Sequence, residues 1–260
     1  MVSVAEELNA RCVDPGARLD LIMAAIATLD HDAAPDAAEL VAELDQLAAP
    51  LGTSAEVADV MAYVFGELAF VGDTSGYHRA VNSYLHRVLE RRRGIPITLA
   101  AVTAEIGRRA GVELSVVGLP GHVVLGDGDS PRRWFDPFAG GAELDRPACE
   151  ALVARLDNRI ALTAAMLAPI DPRAFASRML NNLKVAQAQT GNLAGLIDAV
   201  TVSSELRWSP PSELAELARF LGVAGRHDQA AAARTRLIQL EPDRADAHRA
   251  AARRHLAHRN

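Results

Sequence analysis

The sequence predicts an α+β fold, with a small antiparallel sheet in the middle of the chain and helices before and after it. Three observations carry that expectation. Apolar residues recur at helical spacing through the first 110 residues and again from about residue 145 to the end. Between these stretches, over 112–136, the period shortens to the alternation of strands. With 260 residues, half of them apolar and 23% charged, the chain can bury a core, which excludes a disordered, collagen-like or coiled-coil chain.

The elements follow in order. Residues 17–30 and 36–49 each carry a helical stripe, Leu19, Ile22, Met23, Ile26 and then Leu40, Val41, Leu44, Leu47, punctuated by Pro35 and by Pro50-Leu51-Gly52. Ser54 to Leu68 is a third helix, capped by Thr53 or Ser54. Val81, Tyr84, Leu85, Val88 and Leu89 form an amphipathic stripe that ends at Arg91-Arg92-Arg93-Gly94, where cations suit a helix C-terminus and Gly94 suits the left-handed residue after it. Pro96 opens the next helix at a position where its missing N–H costs nothing. Ile97 to Ala110 is apolar around most of its circumference, so this helix is expected to be the most buried, and Gly111 stops it.

Three β runs come next: Val112 to Val116, His122 to Leu125, and Arg133 to Asp136, the last two joined by the turn-forming Gly126-Asp127-Gly128-Asp129-Ser130-Pro131. A turn centred on Asp129 sets His122 opposite Asp136, with Cβ atoms about 4.5–5.5 Å apart. A slip of one residue would send the two side chains to opposite faces. Asp145 caps a helix that runs through Pro147 to about Leu156, and Pro169 and Pro172 precede another, Arg173 to Thr190, closed by Gly191-Asn192. After Trp208-Ser209-Pro210-Pro211 come a helix pair, Ser212 to Leu221 and Gln229 to Leu240, then Pro242 and a terminal helix. Leu217, Ala218, Ala230 and Pro242 fall where the 34-residue tetratricopeptide pattern wants them, while Leu214, Leu221 and Leu237 depart from it, and one unit is legible. The expected organisation is an N-terminal helical segment at 1–76, a core at 77–160 and a helical tail at 173–260.

Charge is unevenly spread. Residues 1–78 hold 14 Asp and Glu against Arg11 and Arg18 alone, and the excess of bases lies in the remainder. An acidic helical face docked on a basic one is the expected outcome; no nucleic-acid partner is expected, because Lys184 is the only lysine and aromatics are not interleaved with the bases. The longest apolar stretch, Leu21 to Leu29, is too short to cross a bilayer, and Met1 to Glu7 lacks the basic start and apolar run of a secretory signal, so the expected location is the cytoplasm, without a membrane partner. Cys12 and Cys149 are too few for a disulfide framework or a Cys-only zinc site. His78 and His86 show no third ligand, and His227, His248, His255 and His258 read as part of a solvated tail, so no metal is expected. The acidic Gly126-Asp129 turn has the wrong sign for a phosphate nest, and no cofactor is expected.

His122 and Asp136 are the first candidates for chemistry, since a His oriented by a carboxylate is the base half of a nucleophile–base–orienter triad. A structural hydrogen bond that pins the hairpin is the competing reading. Around them stand Asn82-Ser83-Tyr84-Leu85, Val88-Leu89, Arg92, Gly94-Ile95-Pro96-Ile97-Thr98-Leu99, Gly118-Leu119-Pro120-Gly121-His122, Phe135-Asp136-Pro137-Phe138 and Gly141. In that order these motifs resemble the SirB-type transglutaminase-like family over roughly residues 50–160, and the helical tail resembles the tetratricopeptide-like tail such proteins often carry. The resemblance implies a papain-like transglutaminase core: a buried helix on an antiparallel sheet, Cys at the helix start, His and Asp on neighbouring strands. His122 then takes the place of the triad His and Asp136 that of the triad Asp. Pro96 or Ile97 stands at the nucleophile position, and neither can attack a carbonyl. Val123 replaces the family's usual Phe beside the His, a change in packing.

Thr98 and Cys149 compete for the missing role, and Asn82 is a further candidate beside the site. Thr98 lies in the first turn of the buried helix, near orphan N–H groups, and otherwise serves as a backbone cap. Cys149 lies in the first turn of the helix after Asp145, where the dipole favours a thiolate, and otherwise is a buried apolar thiol. Asn82 either caps the stripe that follows it or holds a loop near His122. The sequence therefore leads to a transglutaminase-like protein without its Cys, a non-catalytic or atypical module for a peptide or protein ligand. The alternative is a hydrolase or acyltransferase that uses His122 as base and Asp136 as orienter. The oligomeric state is not legible.

Overall fold

The computed structural model describes residues 2–13, 16–33 and 35–258. Its contacts divide the chain into two compact units, Arg11–Met179 and Met1–Ala10 with Leu180–Asn260. The boundary expected at residue 76 falls inside the larger unit, where 11–76 pack together with 77–160, while most of α1 (Val4–Arg11) belongs with the tail.

In the larger unit three helices precede the sheet region: α2 (Leu19–Ala27), α3 (Ala37–Ala48) and α4 (Val57–Ala62). The third is shorter than the expected 54–68. Its cap lies at Glu56, whose N–H donates to Asp59 Oδ2 at 2.8 Å, so Thr53 and Ser54 stay outside the helix. Past Ala62 the chain widens into a π turn, Tyr63–Glu67, closed by the Leu68 N–H on the Tyr63 carbonyl at 2.8 Å. Then β1 (Val71–Gly72) pairs in parallel with β2 (Arg93–Gly94), across α5 (Leu85–Arg91). The left-handed residue after α5 is Arg92, at φ 52°, and not Gly94. Gly94 is held in β2, and a Cβ there would lie 2.6 Å from the Thr98 hydroxyl. The Arg92 guanidinium stacks 4.8 Å from the Phe70 ring centre, an attraction that offsets part of its backbone cost.

α6 (Pro96–Arg109) is the centre of the unit, buried at every residue from Pro96 to Gly107. Ile97, Leu99, Val102 and Ile106 contribute about 1.5–3 kcal/mol each by leaving water, and Ala100, Ala101 and Ala104 let neighbours approach. Against α6 lie α2, α3 and α4 on the helical side and β3 (Leu114–Val117) and β4 (Val124–Asp127) on the sheet side. The sheet is completed by β5 (Trp134–Asp136) and β6 (Ala142–Leu144), in the order β3-β4-β5-β6 with every pairing antiparallel. β6 is three residues long, too short to show an alternation in sequence. Leu125 faces Phe135 and Gly126 faces Trp134, so the β4–β5 register lies two residues from the expected one. A slip of two preserves the face of every side chain. α7 (Arg146–Leu156) is capped by Asp145, whose Oδ1 accepts from the Ala148 N–H at 2.9 Å, and it buries Cys149 and Val153 against Val117, Leu119, Val124 and Trp134.

The acidic first segment docks on bases from later in the chain, as its charge implied. Arg109, on α6, reaches Asp20 at 2.6 Å, Glu105 at 2.8 Å and Asp45 at 2.6 Å. Glu105 in turn accepts the Leu19 N–H at 2.8 Å and caps α2 from another helix. Asp30 is paired by His86 and Arg87 at 2.9 and 2.8 Å. Burial works against the Asp20 charge, but bonds from Arg18 and Arg109 hold its pKa below the ordinary value.

α8 (Pro172–Gln189) begins in the larger unit and ends in the smaller one. The smaller unit continues with α9 (Leu193–Glu205), α10 (Pro211–Val223), α11 (His227–Leu240) and α12 (Ala245–Ala257). α9 was not read from the sequence as an element of its own. Its Leu196, Ile197 and Val200 share a core with Leu217, Ala218, Ala230 and Leu237 of the next two helices. Asn9 fastens α1 to this unit by accepting from the Arg207 N–H at 2.8 Å and donating to the Glu205 carbonyl at 3.1 Å. No helix among the described residues is long and apolar enough to cross a membrane.

Candidate functional site

His122 stands at the head of β4, on a loop that its glycines permit. Gly121 has φ +69°, and a Cβ there would come within 2.8 Å of Leu156. The loop is tied down through the Leu119 carbonyl, which accepts from the His122 N–H at 3.3 Å and from Arg178 Nη2 at 2.7 Å. The Arg178 guanidinium lies over Gly118, where any side chain would collide with it, and its Nη1 is buried without a hydrogen-bond partner among the described residues. Burial pushes the Arg178 pKa below the usual arginine value.

Asp136 ends β5 and caps the tight turn Pro137–Ala139 that follows. One oxygen, Oδ1, accepts from the Phe138 N–H at 2.9 Å, from the Ala139 N–H at 3.3 Å and from His122 Nε2 at 3.0 Å. Burial raises the cost of the Asp136 charge; the His122 contact, the largest opposing influence, and the two backbone donors bring its pKa below the ordinary carboxylate value. With Nε2 engaged, the imidazole has no hydrogen bond at Nδ1 among the described residues, and its side chain is 17% exposed. The structure thus brings the His122 imidazole and the Asp136 carboxylate into direct hydrogen-bond contact.

Opposite expectations are settled for the other residues. Thr98 is fully buried, and its Oγ1 accepts from the Ile95 N–H at 3.1 Å while donating to the Ile95 carbonyl at 3.0 Å. Its hydroxyl is occupied as a helix cap. Pro96 and Ile97 open α6 with buried side chains. Cys149 is fully buried, and desolvation, followed by the nearby carboxylates of Asp145 and Asp136, pushes its pKa up to about 11. Helix position alone had pointed to a lowered value; burial and the capping carboxylate win.

Asn82 does hold a loop. Fully buried, it donates to the Gly76 and Tyr77 carbonyls at 2.7 and 3.3 Å and accepts from Arg91 Nη1 at 2.9 Å. Arg91 also reaches Asp73 at 2.8 Å, and Asp73 accepts from the Gly76 N–H at 2.9 Å. The loop so fixed lays Tyr77 edge-on to Phe138, ring centres 5.7 Å apart, beside the Asp136 turn. Phe138 also covers Gly72, where a Cβ would meet its ring at 2.6 Å. Sequence reading missed Asp73 and Arg178 and took Arg91 only as a helix-end cation; the signal available was an acid and a base flanking Asn82. Among the described residues no three His, Cys, Asp or Glu side chains form a group able to hold a metal ion. His248 is not solvated as expected: it is buried and bonded to Glu241 at 2.8 Å.

A buried helix on an antiparallel sheet, with a His–Asp pair at the head of one strand and the end of its neighbour, defines a transglutaminase-like class of domain. The description of the Transglutaminase-like superfamily matches residues 31–181, more than half of the chain, and the chain belongs to that superfamily. It is 36% identical over 145 residues to a UPF0162 protein of Xylella fastidiosa, covering 52% of this chain and 50% of that protein. A UPF0162 protein of Pseudomonas aeruginosa is 31% identical over 182 residues, 66% of this chain and 67% of the relative. The F-box only protein 21 of Homo sapiens is 32% identical over 145 residues, 49% of this chain and 21% of that protein. The chain thus spans about half the length of the Xylella relative.

Proposed function

We propose that this is a SirB-type member of the superfamily that binds a peptide or protein in the cytoplasm and performs no Cys-dependent acyl transfer. The observation that carries the reading is the start of α6, where Pro96 and Ile97 stand in the nucleophile's place and the Thr98 hydroxyl is bound to the backbone. The binding surface assigned to this role lies in the smaller unit, read as a tetratricopeptide-like tail. There a groove of about 430 Å³ is lined by Leu214, Leu217 and Leu221, with Asp198, Thr201, Arg226, Gln229 and Arg236 among its polar groups. Apolar lining with a few convergent polar groups is the make-up of a ligand site, and paired helices commonly take extended or helical segments this way.

A second reading, a hydrolase or acyltransferase with His122 as general base, is favoured by the free Nδ1 of an imidazole held by Asp136. Two measurements decide. Selection from a displayed peptide library should enrich a sequence motif whose binding falls at least about tenfold in Arg236→Glu, a rim change worth a charged contact. Wild type should turn over no activated ester or amide above a heat-inactivated control. Wild-type turnover that disappears in His122→Ala, assayed well below the Tm of the variant, overturns the binding reading in favour of the enzyme.

A further inference from the structure

The last three helices bring bases together without acids. Arg219 of α10, His227 and Arg234 of α11, Arg254 and His255 of α12, and His258 just after it line one cavity of about 420 Å³, and no Asp or Glu is among the described residues that line it. Its geometry is built in: a Cβ at Gly222 would come within 2.6 Å of His255 Cε1, so the glycine gives that ring its place against α10. The His227 ring stacks on that of His258, centres 5.3 Å apart, and lies 6.0 Å from that of His255.

The nearby carboxylates are already engaged, one of them by the cavity's own Arg219. Glu241 bonds His248 at 2.8 Å and Arg244 at 3.4 Å, and Glu216 sits 3.6 Å from Arg219 and 3.9 Å from Lys184. Arg234 Nε and His227 Nδ1 are buried and have no hydrogen-bond partner among the described residues, which leaves the arginine N–H donor unused inside a cationic cavity. Buried polar groups are ordinarily satisfied, and an unmet buried guanidinium donor marks a missing acceptor.

We infer that this cavity binds a multivalent phosphate-class anion, a diphosphate or a phosphomonoester. Three guanidinium groups exceed what a single carboxylate can neutralise, and the planar arginine fork matches phosphate oxygens in pairs. His255 is pushed toward its neutral form by burial first, then by Arg234, His227, His258 and Arg254 around it, with Arg219 on the facing helix. A bound anion reverses that pressure, so binding takes up a proton.

Calorimetric titration of the full chain with inorganic pyrophosphate, at constant ionic strength set by chloride, tests the site. One saturable site is expected, with affinity that rises from pH 8 to pH 6 and falls at least about tenfold in Arg254→Gln, whose exposed side chain can be replaced without loss of fold. Arg234→Gln, checked by Tm, should weaken binding similarly. Failure to saturate at millimolar pyrophosphate, equal affinity in both variants, or acetate binding as tightly as pyrophosphate would each overturn the assignment.

Discussion

Asp136 holds His122 through Nε2 at 3.0 Å, and the same carboxylate oxygen takes the N–H groups of Phe138 and Ala139. Two roles therefore meet on one atom: it orients an imidazole, and it closes the turn that leaves β5. Changes on either side of the pair separate these roles.

His122→Ala should cost about 1–3 kcal/mol, because a largely buried carboxylate loses one of its donors. Asp136→Ala should cost more, since two backbone N–H groups lose their acceptor as well. Urea unfolding of both variants checks the order. Equal losses would mean that the turn does not depend on Asp136.

The Asp73 clamp has a pH signature. Burial opposes its charge, but Arg91, Ser75 and the Gly76 N–H outweigh it and lower its pKa to about 2, against about 3.9 in an unfolded chain. A carboxylate whose folded pKa is depressed stabilises fully above the unfolded value. That contribution is lost as pH falls from about 4 through about 2. The stability gap between wild type and Asp73→Asn should be constant near neutrality and close over that window; a gap unchanged down to pH 2 would exclude the ion pair as its source.

Asn82→Ala should loosen residues 74–79 before the rest of the larger unit, because it releases the Gly76 and Tyr77 carbonyls and one arm of Arg91. Hydrogen exchange should show lost protection in that loop together with a global cost of about 1–3 kcal/mol. Exchange identical to wild type would leave Asn82 without the positioning role.

Neither cysteine should behave as a nucleophile in the native state. Cys12 and Cys149 are buried, and desolvation lifts both thiols to about 11. The thiolate fraction at pH 8 is then on the order of a thousandth, against about a quarter for an ordinary cysteine of pKa 8.5. Iodoacetamide should label the folded protein at least about a hundredfold more slowly than the unfolded chain; fast labelling of Cys149 would restore it as a candidate.

Arg109→Leu should be the most damaging of these changes. It removes the most buried cation shared by Asp20 and Glu105, both almost fully buried, and leaves them to Arg18 and Arg108, at a cost of about 3–5 kcal/mol. Denaturant midpoints decide, and a loss under 1 kcal/mol would show that Arg18 and Arg108 suffice.

Much of this arrangement was legible in the residues. The buried helix announced itself through Pro96 and its nearly uniform apolarity, and the change to a two-residue period located three of the four antiparallel strands. The hairpin register was not, because the loop from Gly126 to Arg133 does not close symmetrically about Asp129; it places Gly126 against Trp134. The even slip left His122 and Asp136 within reach all the same. What stayed hidden is tertiary: Asp73, Arg91 and Asn82 come together across 18 residues of chain, and Arg178 reaches the Leu119 carbonyl from 59 residues away. No local pattern encodes such meetings. The rise in the Cys149 pKa is equally tertiary, since burial opposed the helix dipole.

The double duty of Asp136 sets how freely position 136 can vary. Pro96 and Ile97, at the start of α6, are buried apolar residues that close no turn. The acid does not enjoy their freedom, because the turn it closes seats Phe138 over Gly72. Selection for a stable fold is therefore enough to keep Asp136 in place, independently of any chemistry at His122.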